Sequence, residues 1–399
     1  MQNFWENDMK KVFKEKKQSI IFVRALKGIP DSRLEKEVFS LSQFYSVTVL
    51  GWDRENRYKT PKKSIIEIEG KKITFFHIGI KAPVGEGFSK LFYLMLKFWI
   101  AEYLFLKKNR YKYDIIHACD FDTAFIAFLI AKRFKKKIVY DIFDYYSESH
   151  AGPRIIKKMI KKIDDYIISK SNAAIVCSEL RREQIKDSKP CKIVVIHNTP
   201  INTESINGTV NINQRSEKIR IVYVGLLSKD RYLEEMTNVI EKRDDIEWYV
   251  GGWGVLQNYF QEKGRTQKNI HYCGKIPYKE VIRLEKFCDL ITAIYDPTLP
   301  NHKYAAPNKF YEALMVKKPL IMVKGTGMDS YVTDYDIGEV LNIENNDFEY
   351  EFNLALDRLI ARKSDWKNMS ERGYQLYVKE FSWNEMQQRL WNLYKELTE

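Results

Sequence analysis

The 399-residue sequence lacks the patterns of several common protein classes. Its five cysteines are scattered, with no CxxC pair and no Cys/His cluster, so we expect a reducing compartment and no zinc site. The most apolar stretch, residues 91–106, is short for a bilayer span and is interrupted by Lys97 and Glu102. Residues 1–18 contain no apolar core of the kind a signal peptide has, and we therefore expect a cytoplasmic protein.

The sequence also lacks the GxGxxG fingerprint of dinucleotide-binding proteins, because the turn after the first predicted strand has Gly28 as its single glycine. This argues against a dehydrogenase. Acidic residues are outnumbered: the net charge is +13, which favours an anionic partner such as nucleic acid, a phosphorylated substrate or an acidic membrane face. Recognition motifs and exposed strands of interleaved aromatic and basic residues are missing, so we expect no nucleic-acid partner and keep a basic nucleic-acid-binding protein only as an alternative.

What is present is a repeated alternation of short apolar runs and helical patterns, typical of an α/β protein with parallel sheets. The length favours two domains. The Asn-, Thr- and Gly-rich run 198–216 separates two Rossmann-like domains, residues 1–199 and 200–380, and a helical segment at 381–399 crosses back to the first. The predicted strands are 19–24, 46–52, two within 64–80, 114–119, 137–143, 172–178, 192–197, 218–224, 245–251, 270–274, 289–295 and 319–323.

Polar residues follow two strands of the first domain. His117 and Asp120 lie at the end of one strand, and Asp141 and Asp144 at the end of the next. Ligands of parallel sheets bind at such strand ends, so the four residues could share one cleft. Each has another interpretation: Asp120 could cap the following helix, or belong with Asp122 to a D-x-D metal signature, and His117 could be a core histidine.

A basic amphipathic helix is predicted at residues 154–163, with Arg and Lys on one face and Ile and Met on the other. The commoner case is a helix packed on its own sheet with a solvated basic face. A helix drawn to anionic lipid would show the same segregation. The aromatic and basic residues of 88–112 favour the membrane.

In the second domain, residues 306–318 predict a short helix in which Glu312 is the single carboxylate among apolar residues. Glu312 is either exposed or buried with a partner, and a ligand could be that partner. Gly225 and Gly252 lie at strand ends, where a ligand can approach the backbone. A helix beginning near Arg231 would offer free N–H groups and a cation to a phosphate.

Several motifs together carry a family resemblance: IHN at 196–198, the YVG turn with a cation six residues later, GGWG, HYCGKIP, PNKFYEAL followed by KKPLI, and the terminal FSW helix. With them the chain resembles a GT-B glycosyltransferase, similar to glycosyltransferase family 4, whose members transfer sugars from nucleotide-sugars. The resemblance implies two Rossmann-like domains facing across a cleft. A sugar-nucleotide epimerase of the same fold is the alternative.

The resemblance implies a sugar-donor site in the second domain. Glu312 matches the family glutamate that holds the donor ribose hydroxyls, and Arg231 matches a cation of the diphosphate site. Leu226 stands where the family's second cation is usual, and Lys309 is the expected substitute. Tyr304 replaces a second family glutamate, so the sequence leaves retention or inversion open. Asn308, Gly225 and Gly252 complete the expected donor-binding set.

The resemblance also implies an acceptor site in the first domain. His117 matches a histidine near the reacting sugar, and Gly28 lies in the acceptor loop. Asp120 or Asp144 would act as base if the enzyme inverts, and would only position the acceptor if it retains. No cofactor and no metal are expected, because cations and helix N-termini can stabilise the diphosphate leaving group.

We therefore expect a hexosyltransferase-type enzyme. It would use a nucleotide-sugar and a saccharide or polyprenyl-diphosphate-linked acceptor, in cell-surface polysaccharide or lipopolysaccharide biosynthesis. Such acceptors are anionic and lie at the inner membrane leaflet, so we expect peripheral association with that anionic surface.

Overall fold

The computed structural model describes residues 18–82, 88–145, 154–201, 217–344 and 347–399. The chain divides into two compact units, residues 1–197 with 386–399 and residues 198–385. The first boundary lies two residues from the one predicted at 199. The run 198–216, where the sequence predicts a linker, lies mostly outside the described residues.

Within the described residues, the first unit contains the strands β1 Ser19–Arg24, β2 Ser46–Asp53, β3 Lys62–Ile68, β4 Lys71–Gly79, β5 Ile115–Cys119, β6 Lys137–Ile142, β7 Ala173–Val176 and β8 Ile193–Val195. They form one sheet in the order β3-β4-β2-β1-β5-β6-β7-β8, parallel except for the edge pair β3 and β4. The apolar runs read from the sequence are buried because helices cover this sheet. The strand order reverses between β1 and β5, which is where an open parallel sheet offers a binding crevice.

The helices of the first unit are α1 Ser32–Ser42, α2 Phe88–Lys108, α3 Phe121–Phe134, α4 Arg154–Lys170 and α5 Glu179–Gln184. Helix α1 begins at a side-chain cap, in which Asp31 accepts a hydrogen bond from the Leu34 N–H. The predicted helix at 154–163 continues to residue 170.

The second unit contains the strands β9 Ile219–Leu226, β10 Ile246–Trp253, β11 Ile270–Gly274, β12 Leu290–Ala293, β13 Leu320–Val323 and β14 Gly338–Leu341. Its helices are α6 Leu233–Ile240, α7 Gln257–Thr266, α8 Tyr278–Phe287, α9 Asn308–Met315, α10 Asp329–Asp334, α11 Phe348–Ala361 and α12 Trp366–Leu376. The sheet is parallel in the order β11-β10-β9-β12-β13-β14, which is the Rossmann order with its reversal between β9 and β12.

The last helix, α13 Trp383–Thr398, returns to the first unit from Met386 onward. The Trp391 indole N–H donates to the Ser40 carbonyl at 2.9 Å, and Lys192 forms an ion pair with Glu396. The returning segment predicted at 381–399 therefore packs on the first unit over most of its length.

Two features of the second unit differ from prediction. The helix expected to begin near Arg231 is interrupted: residues 229–231 form a 3₁₀ turn, Tyr232 has φ 52°, and α6 begins at Leu233. Left-handed backbone at Tyr232 breaks the helical hydrogen-bond pattern. The sequence also gave no assignment to residues 324–380, which contain α10, β14, α11 and α12.

Candidate functional site

Two strands of the second unit have glycine residues near their ends, close to a cation. Gly225 of β9 pairs in register with Gly252 of β10. A Cβ atom on Gly225 would lie 2.7 Å from the Lys309 Nζ, and one on Gly252, whose φ is 128°, would overlap the Gly225 carbonyl oxygen. Gly252 therefore requires glycine, whereas at Gly225 a side chain would displace the Lys309 amine; the approach of a ligand to these two glycines remains a prediction.

Arg231 and Lys309 are close to this turn. Arg231 is ion-paired with Asp230 and stacks over the Tyr295 ring, with the guanidinium carbon 3.9 Å from the ring centroid. The Lys309 Nζ lies 4.7 Å from the Tyr223 ring centroid. Burial lowers the pKa of Lys309, and the nearby Arg231 lowers it further, whereas carboxylates oppose that change. Two neighbouring cations beside an open glycine turn suit an anion such as a diphosphate.

Glu312 lies on the buried face of α9 and is 4% exposed, so its interpretation as an exposed helix residue is wrong. Its carboxylate interacts electrostatically with the side chains of Tyr278 and Glu285. Lys309, one turn earlier on the same helix, is attracted by both carboxyl groups. The partner that a buried carboxylate requires is thus supplied within this unit, next to the two cations.

Sequence reasoning missed Glu285, although a signal for it exists. Glu285 is 1% exposed and lies on α8 among the buried residues Val281, Ile282 and Leu284. It occupies the apolar face of an amphipathic helix, the same anomaly that identified Glu312. Burial, then the neighbouring Glu312, raise the pKa of Glu285 well above its ordinary value.

The other residues predicted for this site flank it. Asn308 is exposed at the first turn of α9, directly before Lys309. Tyr304 ends the 3₁₀ turn His302–Tyr304 and is half-buried. The His302 Nε2 lies 3.1 Å from the Arg231 Nη1, so this turn contacts the cation side of the site. The roles predicted for Asn308 and Tyr304 remain predictions.

In the first unit, Asp120 has an unusual conformation and a full set of partners. Its φ is 63° and its ψ is 166°, a region that non-glycine residues rarely occupy. The carboxylate accepts hydrogen bonds from the Phe143 N–H at 2.9 Å and the Asp144 N–H at 3.3 Å, and is ion-paired with Arg24. Its side chain makes no capping bond to α3, so the interpretation of its carboxylate as a helix cap is wrong. Burial raises the pKa of Asp120 to about 6.

Asp144 lies beside Asp120 and is exposed, with its carboxylate 2.9 Å from the Arg181 Nη2. Gly28 lies in the loop after β1 with φ 92°, and a Cβ there would lie 3.1 Å from the Phe75 ring. The structure therefore brings Asp120 and Asp144 together at adjacent strand ends. Their action as base, and that of Gly28 in an acceptor loop, remain predictions.

His117 and Asp141 form a separate cluster in which both side chains are fully buried. The His117 ring stacks on Phe22 with centroids 4.1 Å apart, and its Nε2 lies 3.4 Å from the Asp141 Oδ2 and 3.3 Å from the Glu37 Oε2. Burial lowers the pKa of His117. In this conformation His117 exposes no surface to a substrate, and its predicted place beside the reacting sugar remains a prediction.

Arg33 of α1 explains the charge in this cluster, and sequence reasoning missed it as well. Its Nε and Nη2 donate to the two Asp141 oxygens at 3.0 and 2.7 Å. Burial alone would raise the pKa of Asp141, but Arg33 and His117 bring it to about 2. Among the described residues, His117, Cys119 and Asp141 are close enough to share a metal ion. The donor set does not suit one, because Arg33 occupies both carboxylate oxygens.

Two helices of the first unit, α4 and α2, expose apolar side chains. Ile155 and Met159 of α4 are 76% and 58% exposed, and the residues of α4 that are buried lie farther along, at Asp164, Ile167 and Ile168. The interpretation that the apolar face of residues 154–163 packs on the sheet is therefore wrong for Ile155 and Met159. Helix α2 adds further exposed side chains, namely Phe92, Tyr93, Leu96, Ile100 and Leu104. In the part of the chain that the structure describes, every helix is too short or too polar to cross a membrane.

Comparison with known proteins bears on the fold and on the family resemblance. Residues 46–204 match the family model Glycosyltransferase Family 4. Sucrose-phosphate synthase of Thermosynechococcus elongatus has a TM-score of 0.71 at 14% identity, over 96% of this chain and 99% of that chain. Anabaena HepE in complex with UDP has a TM-score of 0.67 at 12% identity, over 95% and 100%. A glycosyltransferase of Rickettsia africae has a TM-score of 0.67 at 15% identity, over 96% and 99%.

Sequence comparison with curated proteins found no match. The family match and the shared fold confirm the resemblance drawn from the sequence, that of a GT-B glycosyltransferase similar to family 4.

Proposed function

We propose that the protein transfers a sugar from a nucleotide-sugar to a lipid-linked saccharide at an anionic membrane surface. The observation that carries the sugar-donor half is the convergence of the Gly225 turn, Arg231, Lys309 and Glu312 within one unit. A protein of the same fold was solved in complex with UDP and with UDP-glucose, so a uridine diphosphate sugar is our first choice of donor.

The chemistry of the leaving group suits these residues. Breaking the bond between the sugar and the nucleoside diphosphate leaves negative charge on the β-phosphate. Arg231 and Lys309 would stabilise that charge, and the open Gly225 turn would let the phosphate oxygens approach the backbone. Glu312 would accept hydrogen bonds from the ribose hydroxyls. No residue of this set needs to change its protonation state during transfer.

The acceptor hydroxyl needs to be oriented, and in an inverting reaction also deprotonated. Asp120 has a pKa of about 6, so most of it is ionised at neutral pH and it can accept a proton there. Asp144 is beside it and exposed. We assign both residues to the acceptor side, Asp120 as base in an inverting reaction and both as positioning groups in a retaining one.

The exposed face of the first unit supports a membrane-bound acceptor. Apolar side chains of α2 and α4 stand next to lysines, among them Lys158 and Lys162, which are exposed on α4. An apolar surface bordered by cations is the pattern of helices that lie in the headgroup region of anionic bilayers. An acceptor on a lipid carrier, intended for a cell-surface polysaccharide or lipopolysaccharide, would be presented at that surface.

Thermal unfolding with a panel of UDP-, GDP-, ADP-, dTDP- and CMP-sugars tests the sugar-donor site. A ligand at one hundred times its Kd should stabilise the protein by about 2.7 kcal/mol. We expect one nucleotide class to raise the Tm, Glu312→Ala to abolish that rise, and the exposed-site control Glu262→Ala to keep it. If no nucleotide-sugar stabilises the wild type, the proposed function is wrong.

A further inference from the structure

We propose that Glu285 is a second carboxyl group of the sugar-donor site, which shares one proton with Glu312 and fixes that carboxylate for the ribose. This inference rests on the proposed function, because it concerns the same site. It adds a positioning residue that neither the motifs nor the family resemblance point to.

The two carboxyl groups are close enough to interact. Glu285 extends from α8 and Glu312 from α9, and the charge of Glu312 acts on Glu285. They are 1% and 4% exposed. The Glu285 Oε2 has no hydrogen-bond partner among the described residues. A buried oxygen without a partner is costly, and a ligand hydroxyl at this site would satisfy it.

The charges around the pair favour one proton between the two carboxyl groups. Two carboxylates in contact cannot both ionise without strong repulsion. Lys309 of α9 is the cation that attracts both, and the Tyr278 hydroxyl of α8 contacts Glu312. On β9, which also packs against α8, Arg220 lies at the Phe287 end of that helix, and Tyr223 lies beneath Lys309. One proton on the pair leaves a single negative charge, which balances Lys309.

The consequence concerns the pH dependence of nucleotide binding. A neutral Glu285 donates its proton to Glu312 and holds that carboxylate in place. When the pH rises far enough to ionise Glu285, a second buried negative charge appears beside a ligand that is itself anionic. Nucleoside diphosphate binding should therefore weaken at high pH, and an amide at position 285, which cannot ionise, should reduce that weakening.

Isothermal titration calorimetry with the full chain tests this, using the four nucleoside diphosphates UDP, GDP, ADP and dTDP between pH 7 and 9.5. We expect the wild-type Kd of the binding nucleotide to rise about tenfold or more over this range. Glu285→Gln should show a rise at least threefold smaller than that of the wild type. Glu285→Leu, which cannot hold Glu312, should bind about tenfold more weakly at pH 7. Glu102→Gln, which changes a fully buried carboxyl group in the other unit, should behave as the wild type.

The outcomes separate the two proposals. If the wild type binds none of the diphosphates, the proposed function fails and this inference fails with it. If the wild type binds one of them but Glu285→Gln keeps the full pH dependence, the inference about Glu285 is overturned while the sugar-donor site stands. Glu285→Gln is nearly isosteric, so a Glu285→Leu chain that does not fold leaves this comparison intact.

Discussion

The Nδ1 atom of His117 lies 2.7 Å from the hydroxyl oxygen of Tyr394, 277 residues away in the chain. Both side chains are fully buried, and their rings are nearly parallel, with an angle of 6° between their planes. The contact joins the central strand β5 to the last helix. The C-terminal helix is therefore part of the core of the first unit.

Tyr394→Phe should destabilise the first unit. The substitution keeps the ring but leaves a buried His117 nitrogen without its partner, which costs about 1–3 kcal/mol. Urea unfolding followed by circular dichroism measures the free energy of unfolding. Tyr350→Phe, which removes the hydroxyl of an exposed tyrosine, is the matched control and should change it by less than about 0.5 kcal/mol. Equal stability of the two variants would contradict the role assigned to this contact.

Asp164→Asn should stabilise the protein at neutral pH. Burial raises the pKa of Asp164 from 3.8 to about 7, and its Oδ2 has no hydrogen-bond partner among the described residues. The folded state thus holds the proton more tightly than the unfolded state, so wild-type stability falls as the pH rises from about 4 to 7. The variant lacks this loss of stability, which amounts to about 4 kcal/mol for a pKa shift of this size.

The measurement is the free energy of unfolding of the Asp164→Asn variant and the wild type between pH 4 and 8. The difference between them should grow up to pH 7 and then stay constant. Asp187→Asn, at an exposed position, should show a difference that does not change with pH. A constant difference for Asp164→Asn as well would show that this carboxyl group is not the one that titrates.

Arg231→Ala should weaken nucleoside diphosphate binding by about 10- to 100-fold, because a charge-assisted hydrogen bond contributes about 1.5–3 kcal/mol. The loss should be similar for the diphosphate with and without its sugar, and small for the free nucleoside. Calorimetry measures all three. Arg243→Ala removes a cation of the same unit that pairs with Asp245 and Asp357, and should leave the Kd unchanged. Equal losses for nucleoside and diphosphate would place Arg231 away from the phosphates.

Serine at both Ile155 and Met159 should reduce binding to anionic lipid vesicles about tenfold or more, because these exposed side chains would be the ones that enter the bilayer. Co-sedimentation with phosphatidylglycerol vesicles measures this. Val255→Ser, at a 79% exposed position in the other unit, is the control and should bind as the wild type does. Undiminished binding of the double variant would contradict the membrane surface proposed for α4.

Lys158→Gln with Lys162→Gln should weaken the same vesicle binding by about 1 kcal/mol per lysine near the surface. This loss should shrink as salt is added, since salt screens exposed charges. The loss caused by serine at Ile155 and Met159 should show no such salt dependence. If vesicle binding by both variants responds equally to salt, electrostatic attraction and apolar insertion are not separate contributions to binding.

Much of the fold could be predicted because buried parallel strands are short apolar runs between turn residues. Neighbouring residues in the sequence are enough to define this pattern. The segment 324–380 was missed although Phe348, Phe352, Leu356 and Leu359 follow helical spacing and lie on the buried face of α11. The spacing of these four residues is therefore sufficient to predict α11.

The site was predictable only in part, because burial depends on residues far away in the sequence. Periodicity describes α4 correctly but cannot say whether the face with Ile155 points to the core or to solvent. Similarly, the position of His117 on a strand does not reveal that Tyr394 covers it. Glu312 was the exception, because a single carboxylate among apolar residues already requires a partner.

Because α13 returns to the first unit, the second unit interrupts the first one in the sequence. Residues 198–385 form the second unit as one continuous insertion, whereas the first unit is made of two separated pieces. The His197 N–H donates to the Met386 Sδ at 3.0 Å, so the chain leaves and re-enters the first unit at neighbouring points. The first unit is thus complete only after the ribosome has finished the second, and a short loop from His197 to Met386 could replace the whole insertion.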